Sequence, residues 1–250
     1  MPGSFPIVVS ALSLFLGVFL GGCAGGVPVK QSVAPAAYDE GHVDVWTTTS
    51  DQRLALAPST LRFGTEGGSA DIKVEAATRY QQMVGFGASI TDASAWLIQH
   101  RMDPKQREAL LRELFGREGE GIGFDFARLT IGASDFSRSH YSLNDPLDGK
   151  PDPELRQFSI DVNQEDVIPV TRQVLEINPD LKIMASPWSA PAWMKDTGSL
   201  IEGTLLPEHQ DAFARYLLAY IDAYAGQGIP IFALTVQNEP DHEPGDYPGM

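Results

Sequence analysis

Apolar residues beyond Tyr80 follow two spacings in turn: short runs typical of strands, and repeats of three or four residues typical of helices. The short runs predict strands at 82–86, 124–131, 181–185 and 229–236. The helical repeats predict helices at 104–115, 167–177 and 207–225. Strands that alternate with helices predict parallel βαβ units, so residues 80–250 are expected to form an α/β domain.

Local signals at the helix ends support these predictions. Asp103 precedes Pro104, and Gly116 follows the last apolar residue, which is the usual order of N-cap, first helical residue and stop. Thr91 and Asp92 resemble an N-cap pair for a further helix that follows them. The helix predictions therefore rest on caps as well as on periodicity.

The stretch 43–79 has apolar residues at every second position instead. Val43, Val45 and Thr47 alternate with other residues, and so do the residues at 72, 74 and 76. A period of two predicts strands. Two or three strands are too few for an independent sheet with a buried face, so we expect them to pair with strands from elsewhere in the protein.

The first 23 residues have the features of an export signal. Residues 7–20 are uncharged and almost wholly apolar, too short for a membrane span of roughly 20 residues, and they end in Leu20-Gly21-Gly22-Cys23. This ending resembles a bacterial lipobox, which predicts lipidation of Cys23 and a place in the bacterial cell envelope. The alternative is a plain cleaved signal and secretion, favoured by the lack of Lys or Arg in residues 1–6. Residues 24–42 are predicted to be a flexible tether.

The net charge and the cysteine and histidine content limit the binding partners that we expect for this protein. The 250 residues include 33 Asp plus Glu against 18 Lys plus Arg, a formal charge of −15 that repels phosphate backbones and anionic lipid surfaces. We therefore expect no nucleic-acid partner, and contact with membranes only through the N-terminal lipid. The single Cys cannot form an internal disulfide, and no Cys/His cluster has metal-ligand spacing. Four histidines are expected to be surface or loop residues: His100, His140, His209 and His242.

Polar and aromatic clusters directly follow all four predicted strands. In a βα barrel the segments that follow the strands lie on one face, where active sites are built. This coincidence predicts an enzyme. The clusters run from Gly85 to Asp92, from Ser134 to Ser137, from Ser186 to Trp193 and from Gln237 to Pro240.

These clusters resemble the motifs of glycoside hydrolase family 30, the group that includes glucosylceramidases. The motifs, in this order, are Gly-Phe-Gly with Thr-Asp-Ala, Ser-Asp-Phe-Ser, Ser-Pro-Trp-Ser-Ala-Pro-Ala-Trp-Met-Lys and Thr-Val-Gln-Asn-Glu-Pro. The resemblance implies an α/β fold, a (β/α)8 TIM barrel with a small β-sandwich side domain. Residues 80–250 would hold the first half of the barrel, and residues 43–79 some strands of the sandwich. It also implies a retaining β-glycosidase that needs no cofactor, since two carboxyl groups suffice.

Within this family Glu239 corresponds to the general acid and base, and Asn238 to the residue that hydrogen-bonds the sugar 2-hydroxyl. The alternative for Glu239 is a solvated loop glutamate. Alternation along a strand would turn these two neighbours to opposite sides, so both can face a sugar only if the strand ends there in a bulge or turn. Pro240 is consistent with such an ending, because it cannot donate to a ladder.

The resemblance assigns roles to three further residues. Arg128, which interrupts an apolar strand, would keep the nucleophile ionised and oriented, and the alternative is an ion pair with a helix acid. Asp135 would accept hydrogen bonds from two sugar hydroxyls, although an Asp after a strand also forms Asx-turns. Trp188 would be a wall of the pocket and Trp193 part of the core, although either tryptophan taken alone is more often a core residue.

In this family the nucleophile is a glutamate at the end of the seventh strand, which we expect beyond Met250. Glu202 and Glu243 match no strand end and are not assigned that role. Two hypotheses remain, a glucosylceramidase-like β-glycosidase of which these residues are a fragment, and a non-catalytic sugar-binding lipoprotein. The expected partner is a carbohydrate or glycolipid. Glucosyl, xylosyl and β-1,6-glucan specificities share these early motifs.

Overall fold

The computed structural model describes residues 41–62, 75, 77–119 and 121–250. The predicted signal, Cys23, nearly all of the tether and most of the predicted strand at 72–76 lie outside these residues and stay predictions. Among the described residues no helix is long and apolar enough to span a membrane. The chain divides between Thr78 and Arg79 into two compact units, which are described separately.

The first unit contains an antiparallel pair of strands. Strand β1 (His42–Thr47) pairs with β2 (Ala57–Arg62), with His42 opposite Arg62 and Thr47 opposite Ala57. Large apolar side chains of the pair remain open to solvent, and Trp46 is 62% exposed.

The second unit is built on a parallel sheet of four strands in chain order, β3 (Gly87–Ile90), β4 (Phe126–Ile131), β5 (Lys182–Pro187) and β6 (Ala233–Leu234). The helices between the strands are α1 (Asp92–Arg101), α2 (Pro104–Phe115), α3 (Val167–Ile177) and α4 (Gln210–Gly226). Short 3-10 turns cover Asp161–Asn163, Ala192–Met194 and Pro207–His209. Sequential parallel strands joined by helices are the repeating unit of a (β/α) barrel.

The core of this unit lies between the two central strands and the helices. Leu129 of β4 and Ile183 of β5 are fully buried, as are Val170 and Val174 of α3 and Tyr220 of α4. Parallel strands buried on both faces are read as continuous apolar runs, which is how the sequence predicted β4 and β5.

Helix bounds follow the predicted caps closely. The Asp103 carboxylate accepts the Gln106 N–H in a capping box, and the Gly116 N–H bonds the Arg112 carbonyl, so α2 spans the predicted residues. In α1, Thr91 alone is the N-cap, and the carboxylate of Asp92 bonds Arg138 instead.

The edge strands differ from their predictions. The strand predicted at 82–86 lies at Gly87–Ile90, and the strand predicted at 229–236 is reduced to Ala233–Leu234. At Gly87 the backbone of β3 lies so close to that of β4 that a Cβ atom would collide with the Phe126 carbonyl. Glycine is therefore required where this edge strand begins.

Candidate active site

Three predicted site residues come together at the carboxyl ends of the strands. Arg128 is on β4, Trp188 directly follows β5, and Asn238 follows β6. Arg128 Nη2 donates a hydrogen bond of 2.5 Å to Asn238 Oδ1, and the guanidinium carbon lies 4.6 Å from the centre of the Trp188 ring system. Residues from three strands thus form one polar cluster.

The chain after β6 departs from regular pairing just where the motif begins. The amides of Phe232, Thr235 and Asn238 donate to the carbonyls of residues 183, 185 and 187. Amides three residues apart therefore meet carbonyls two residues apart, so each interval contains one extra residue, as in a β-bulge. The condition for Asn238 and Glu239 to face one ligand, a strand that ends before them, is met.

Glu239 lies at the turn that follows, with a backbone φ of +47°. A residue other than glycine costs about 1–2 kcal/mol in this left-handed region, so the surrounding turn must hold it there. Its side chain is exposed, and its Oε2 lies 3.5 Å from Asn238 Nδ2. Because arginine can only donate, its bond to Asn238 Oδ1 turns the amide nitrogen of Asn238 towards Glu239.

The electrostatics of Arg128 are governed by burial. Burial lowers the pKa of its guanidinium, while the negative charges of Asp135 and Glu239 act in the opposite direction. No carboxylate among the described residues lies within ion-pair distance of Arg128. The guanidinium therefore has capacity to bind a further carboxylate.

Asp135 is on the loop that follows β4. The turn is held by serine hydroxyls, since Ser134 Oγ accepts the Phe136 N–H at 3.1 Å and Ser137 Oγ accepts the Ser134 N–H at 2.9 Å. The Asp135 side chain is exposed, and its carboxylate takes part in no hydrogen bond among the described residues. It is thus free to accept bonds from a ligand.

The two tryptophans of the loop after β5 differ in their surroundings. Trp188 is 7% exposed and its buried indole N–H has no partner in the described part of the chain. Trp193 donates to Asn144 Oδ1 at 2.8 Å and meets the His209 ring edge-on at 5.1 Å. Trp193 thus packs as a structural residue, whereas Trp188 supports Arg128 and leaves little of its ring open to a sugar.

Sequence reasoning missed two residues beside this cluster. The half-buried Tyr247 has a pKa raised by burial and by the charges of Glu239 and Asp135, and its Oη lies 3.1 Å from His242 Nε2. Gln237 Nε2 donates to the Trp188 carbonyl at 2.7 Å and so ties the loop after β6 to the loop after β5. Only the position of Tyr247 in the same loop as Glu239 could have pointed to it.

A second charged cluster lies outside the predicted site. Arg138 bonds Asp92 through two nitrogens at 2.9 and 3.0 Å and bonds Asp166 at 2.6 Å, and His100 Nε2 lies 2.6 Å from Asp166. Both carboxylates are buried. His100 is exposed on α1, in agreement with the expected surface position, and its ring also contacts this network. Within the described ranges no group of three or more His, Cys, Asp or Glu side chains could hold a metal ion.

Comparison with known proteins identifies the barrel unit. Residues 83–246 match the model of the glycosyl hydrolase family 30 TIM-barrel domain. The chain belongs to glycosyl hydrolase family 30. The family and the barrel fold predicted from the motifs are therefore confirmed.

Relatives in the family carry two kinds of name. Over 205 residues, 77% of this chain and 40% of the relative, the chain is 33% identical to endo-1,6-beta-D-glucanase BGN16.3 of Trichoderma harzianum. Over 231 residues, 87% of this chain and 42% of the relative, it is 29% identical to a Caenorhabditis elegans protein named "Putative glucosylceramidase 1". The chain thus spans about two fifths of the length of these curated relatives.

A solved structure shows the same fold. The endo-beta1,6-glucanase BT3312 superposes with a TM-score of 0.66 at 33% sequence identity, over 81% of this chain and 44% of that one. Family 30 membership and the partial barrel therefore agree in sequence and in structure.

Proposed function

We propose that the complete protein is a retaining β-glycosidase that hydrolyses β-glucosides, with Glu239 as its general acid and base. The observation that carries this proposal is the connected row of Arg128, Asn238 and Glu239 at the carboxyl ends of the strands. A chain in family 30 with this row in place supports glycoside hydrolysis more strongly than sugar binding alone.

Glu239 has two tasks in this mechanism. When protonated, it donates its proton to the glycosidic oxygen while a second carboxylate attacks the anomeric carbon. When ionised, it takes a proton from the water that releases the sugar. Its exposed carboxylate suits both steps, because the leaving group and the water must reach it. The second carboxylate is expected about 5–5.5 Å away, on the seventh strand of the barrel.

The neighbours of Glu239 would organise the sugar and the second carboxylate. Asn238, whose amide orientation is set by Arg128, offers a fixed donor for the sugar 2-hydroxyl. The unpaired guanidinium of Arg128 would hold the second carboxylate in its ionised form. The open carboxylate of Asp135 would accept bonds from two sugar hydroxyls, and the ring of Trp188 would hold Arg128 in place.

Two β-glucosyl substrates deserve direct assay. The 33% identity to two 1,6-glucanases supports β-1,6-glucan. The relatives named "Putative glucosylceramidase 1" and "Putative glucosylceramidase 4", at 29% and 32% identity, support glucosylceramide to a similar degree. Parallel measurements of kcat/KM on a β-1,6-glucan oligosaccharide and on a glucosylceramide would separate them.

The deciding variant is Glu239→Ala in the complete protein. Removing a general acid should lower kcat/KM by roughly 10²- to 10⁴-fold on substrates with poor leaving groups. Aryl glycosides with activated leaving groups need little protonation, so their first step should be largely spared and a glycosyl-enzyme should accumulate. Azide can then replace the activated water, and product analysis should reveal the β-glycosyl azide.

Glu176→Ala is the matched control, because Glu176 is an exposed glutamate near the end of α3, just before β5 begins and so at the opposite edge of the sheet from the row. It should retain the parent activity. Equal losses on good and poor leaving groups at Glu239→Ala, without azide rescue, would remove Glu239 from the proposed role. Sugar binding by the parent protein without any hydrolysis would support the non-catalytic alternative.

A further inference from the structure

The last residue of the motif after β5, Lys195, has a buried ammonium group without a counterion. It is 3% exposed and directly follows the turn Ala192–Met194. In the described part of the chain, no carboxylate lies within ion-pair distance of its Nζ. Burying a charge without a counterion is costly, so hydrogen bonds to the ammonium must offset the cost of its desolvation.

The ammonium is surrounded by neutral oxygen atoms from three segments. Nζ donates to Ser189 Oγ at 2.9 Å, to the Leu200 carbonyl at 3.1 Å and to the Gly249 carbonyl at 2.6 Å. Three acceptors match the three donors of a lysine ammonium, whereas a planar guanidinium has a different geometry.

These segments belong to the proposed active site. Ser189 is next to Trp188, and Gly249 is ten residues beyond Glu239 in the loop that follows β6. The Gly249 N–H also donates to the Leu200 carbonyl at 3.0 Å. Lys195 thus joins the loop that supports Arg128 to the segment that follows the acid and base.

We propose that Lys195 is a positioning residue, whose ammonium holds the Trp188 loop against the segment after Glu239 and so sets the spacing of the two sides of the sugar site. This proposal rests on the proposed glycosidase function for its effect on catalysis. Lys195 itself touches no reacting atom. We call the contact of the Lys195 ammonium with Ser189, Leu200 and Gly249 the joint. A displacement of about 1 Å in such a site can cost 10²-fold in rate, so loss of the joint should lower the rate of hydrolysis.

The joint should lose one of its bonds as the pH rises. Burial lowers the pKa of Lys195 to about 8, although the negative charges of Asp196 on its own loop and Glu243 on the loop after β6 act in the opposite direction. A neutral amine has two N–H groups for three acceptors, so one of the three bonds is lost, although the joint stays closed because the buried site favours the neutral amine. Positioning is then weakened above about pH 8.

Stability should follow the opposite course. The folded-state pKa lies below the ordinary lysine value of 10.5, so as the pH rises the folded protein releases this proton before the unfolded chain does. Between about pH 8 and 10.5 the contribution of Lys195 to the unfolding free energy therefore increases with pH. A merely structural lysine would not combine a gain in stability with a loss of activity.

The test compares the complete protein with its Lys195→Met variant, whose side chain is similar in length and apolar. With an aryl β-glucoside, the parent kcat/KM should fall along an alkaline limb centred near pH 8. The variant should be about 10- to 100-fold less active at pH 7 and should lack that limb. Lys182→Met is the matched control, because Lys182 begins β5, at the end of the strand opposite to the loop that contains Lys195, and it should keep the parent profile.

Hydrogen exchange provides a readout that does not depend on activity. After correction for the intrinsic rate, the amides of Asn238 and Gly249 in the parent should gain protection between pH 7 and pH 9.5, because deprotonation of the buried amine favours the closed joint. The parent measurement needs no substitution and decides the question even if Lys195→Met does not fold. Unchanged or falling protection across this interval, or a variant with the parent pH profile, would overturn the proposal. Protection that follows Lys195 in a protein without glycosidase activity would support the joint and refute the proposed function.

Discussion

Two arginines of the barrel unit lie over tryptophan rings near carboxylates, and their surroundings have opposite effects on them. The pKa of Arg138 is raised, chiefly by its hydrogen bonds with Asp92 and by the charge of Asp166, against the effect of burial. The pKa of Arg128 is lowered, because burial outweighs more distant carboxylates.

The difference separates an arginine paired within the fold from an arginine that has no ion-pair partner among the described residues. Around Arg138, buried carboxylates are within 3.0 Å and the arginine's charge is already neutralised. Around Arg128, the nearby carboxylates of Asp135 and Glu239 face solvent. An arginine that is paired with buried carboxylates of its own chain stabilises the fold. An arginine without an ion-pair partner can still bind the carboxylate of another segment or of a ligand.

The largest expected effect follows from removing the charge at Arg138. Arg138→Met leaves the buried Asp92 without its ion-pair partner and Asp166 with His100 alone, which should lower the unfolding free energy by about 3–5 kcal/mol. Urea denaturation of the complete protein measures it. Arg128→Met is the matched control, because it deprives no buried carboxylate of an ion-pair partner. It should lower the unfolding free energy far less and should lower kcat/KM. Similar losses of stability in the two variants would erase the distinction between the clusters.

A smaller effect is expected on acidification. Burial raises the pKa of Asp92, but the hydrogen bonds and charge of Arg138 outweigh it, so the pKa lies below its usual value. Its stabilisation is therefore present above the unfolded value of about 3.9 and is lost as the pH falls through the folded-state value. Unfolding free energies measured from pH 6 to pH 3 should fall at the acid end.

In Arg138→Met the same titration should change sign. Without the arginine side chain, Asp92 keeps the bond from the backbone N–H of residue 138, but the desolvation penalty is larger than the effect of that bond. Protonation should therefore relieve the variant and raise its stability as the pH falls. An acid limb of the same slope in parent and variant would mean that other carboxyl groups dominate.

The smallest expected effect concerns the ring beneath Arg138. The guanidinium lies 5.6 Å from the Trp96 ring centre, and Arg101 lies 4.9 Å from it. Trp96→Phe keeps an aromatic surface with a weaker attraction for cations, so it should cost about 0.5–1 kcal/mol of unfolding free energy. Trp46→Phe on the exposed strand β1 serves as the control and should be neutral within error. A loss above that of Arg138→Met would show that packing of the indole, not the ion pairs, holds this cluster.

Local signals explain which elements were predictable. The ends of α2 depend on Asp103, Pro104 and Gly116, which act within one turn of the helix, and the prediction of its bounds is confirmed. The extent of β6 depends on carbonyls of β5 about fifty residues away, and its apolar residues do not reveal that the pairing slips. Periodicity therefore predicted a strand there but overestimated its length.

The candidate site divides in the same way. Arg128, Asn238 and Glu239 belong to motifs recognisable along the chain, and the structure brings them together. Lys195 stands in one of those motifs, yet its role depends on the Gly249 carbonyl, 54 residues away. That its ammonium is buried without a counterion follows only from the folded arrangement of the loops.

The slipped register after β6 also has a consequence for protein engineering. Gln-Asn-Glu-Pro transplanted onto a regular parallel strand would keep its sequence but not its geometry, because the segment from Phe232 to Asn238 contains two more residues than regular pairing allows. A graft with one inserted residue in each of the two intervals would place the glutamate at the turn. In this fold the spacing of residues 232–238 determines the position of Asn238 and Glu239 as much as the motif itself does.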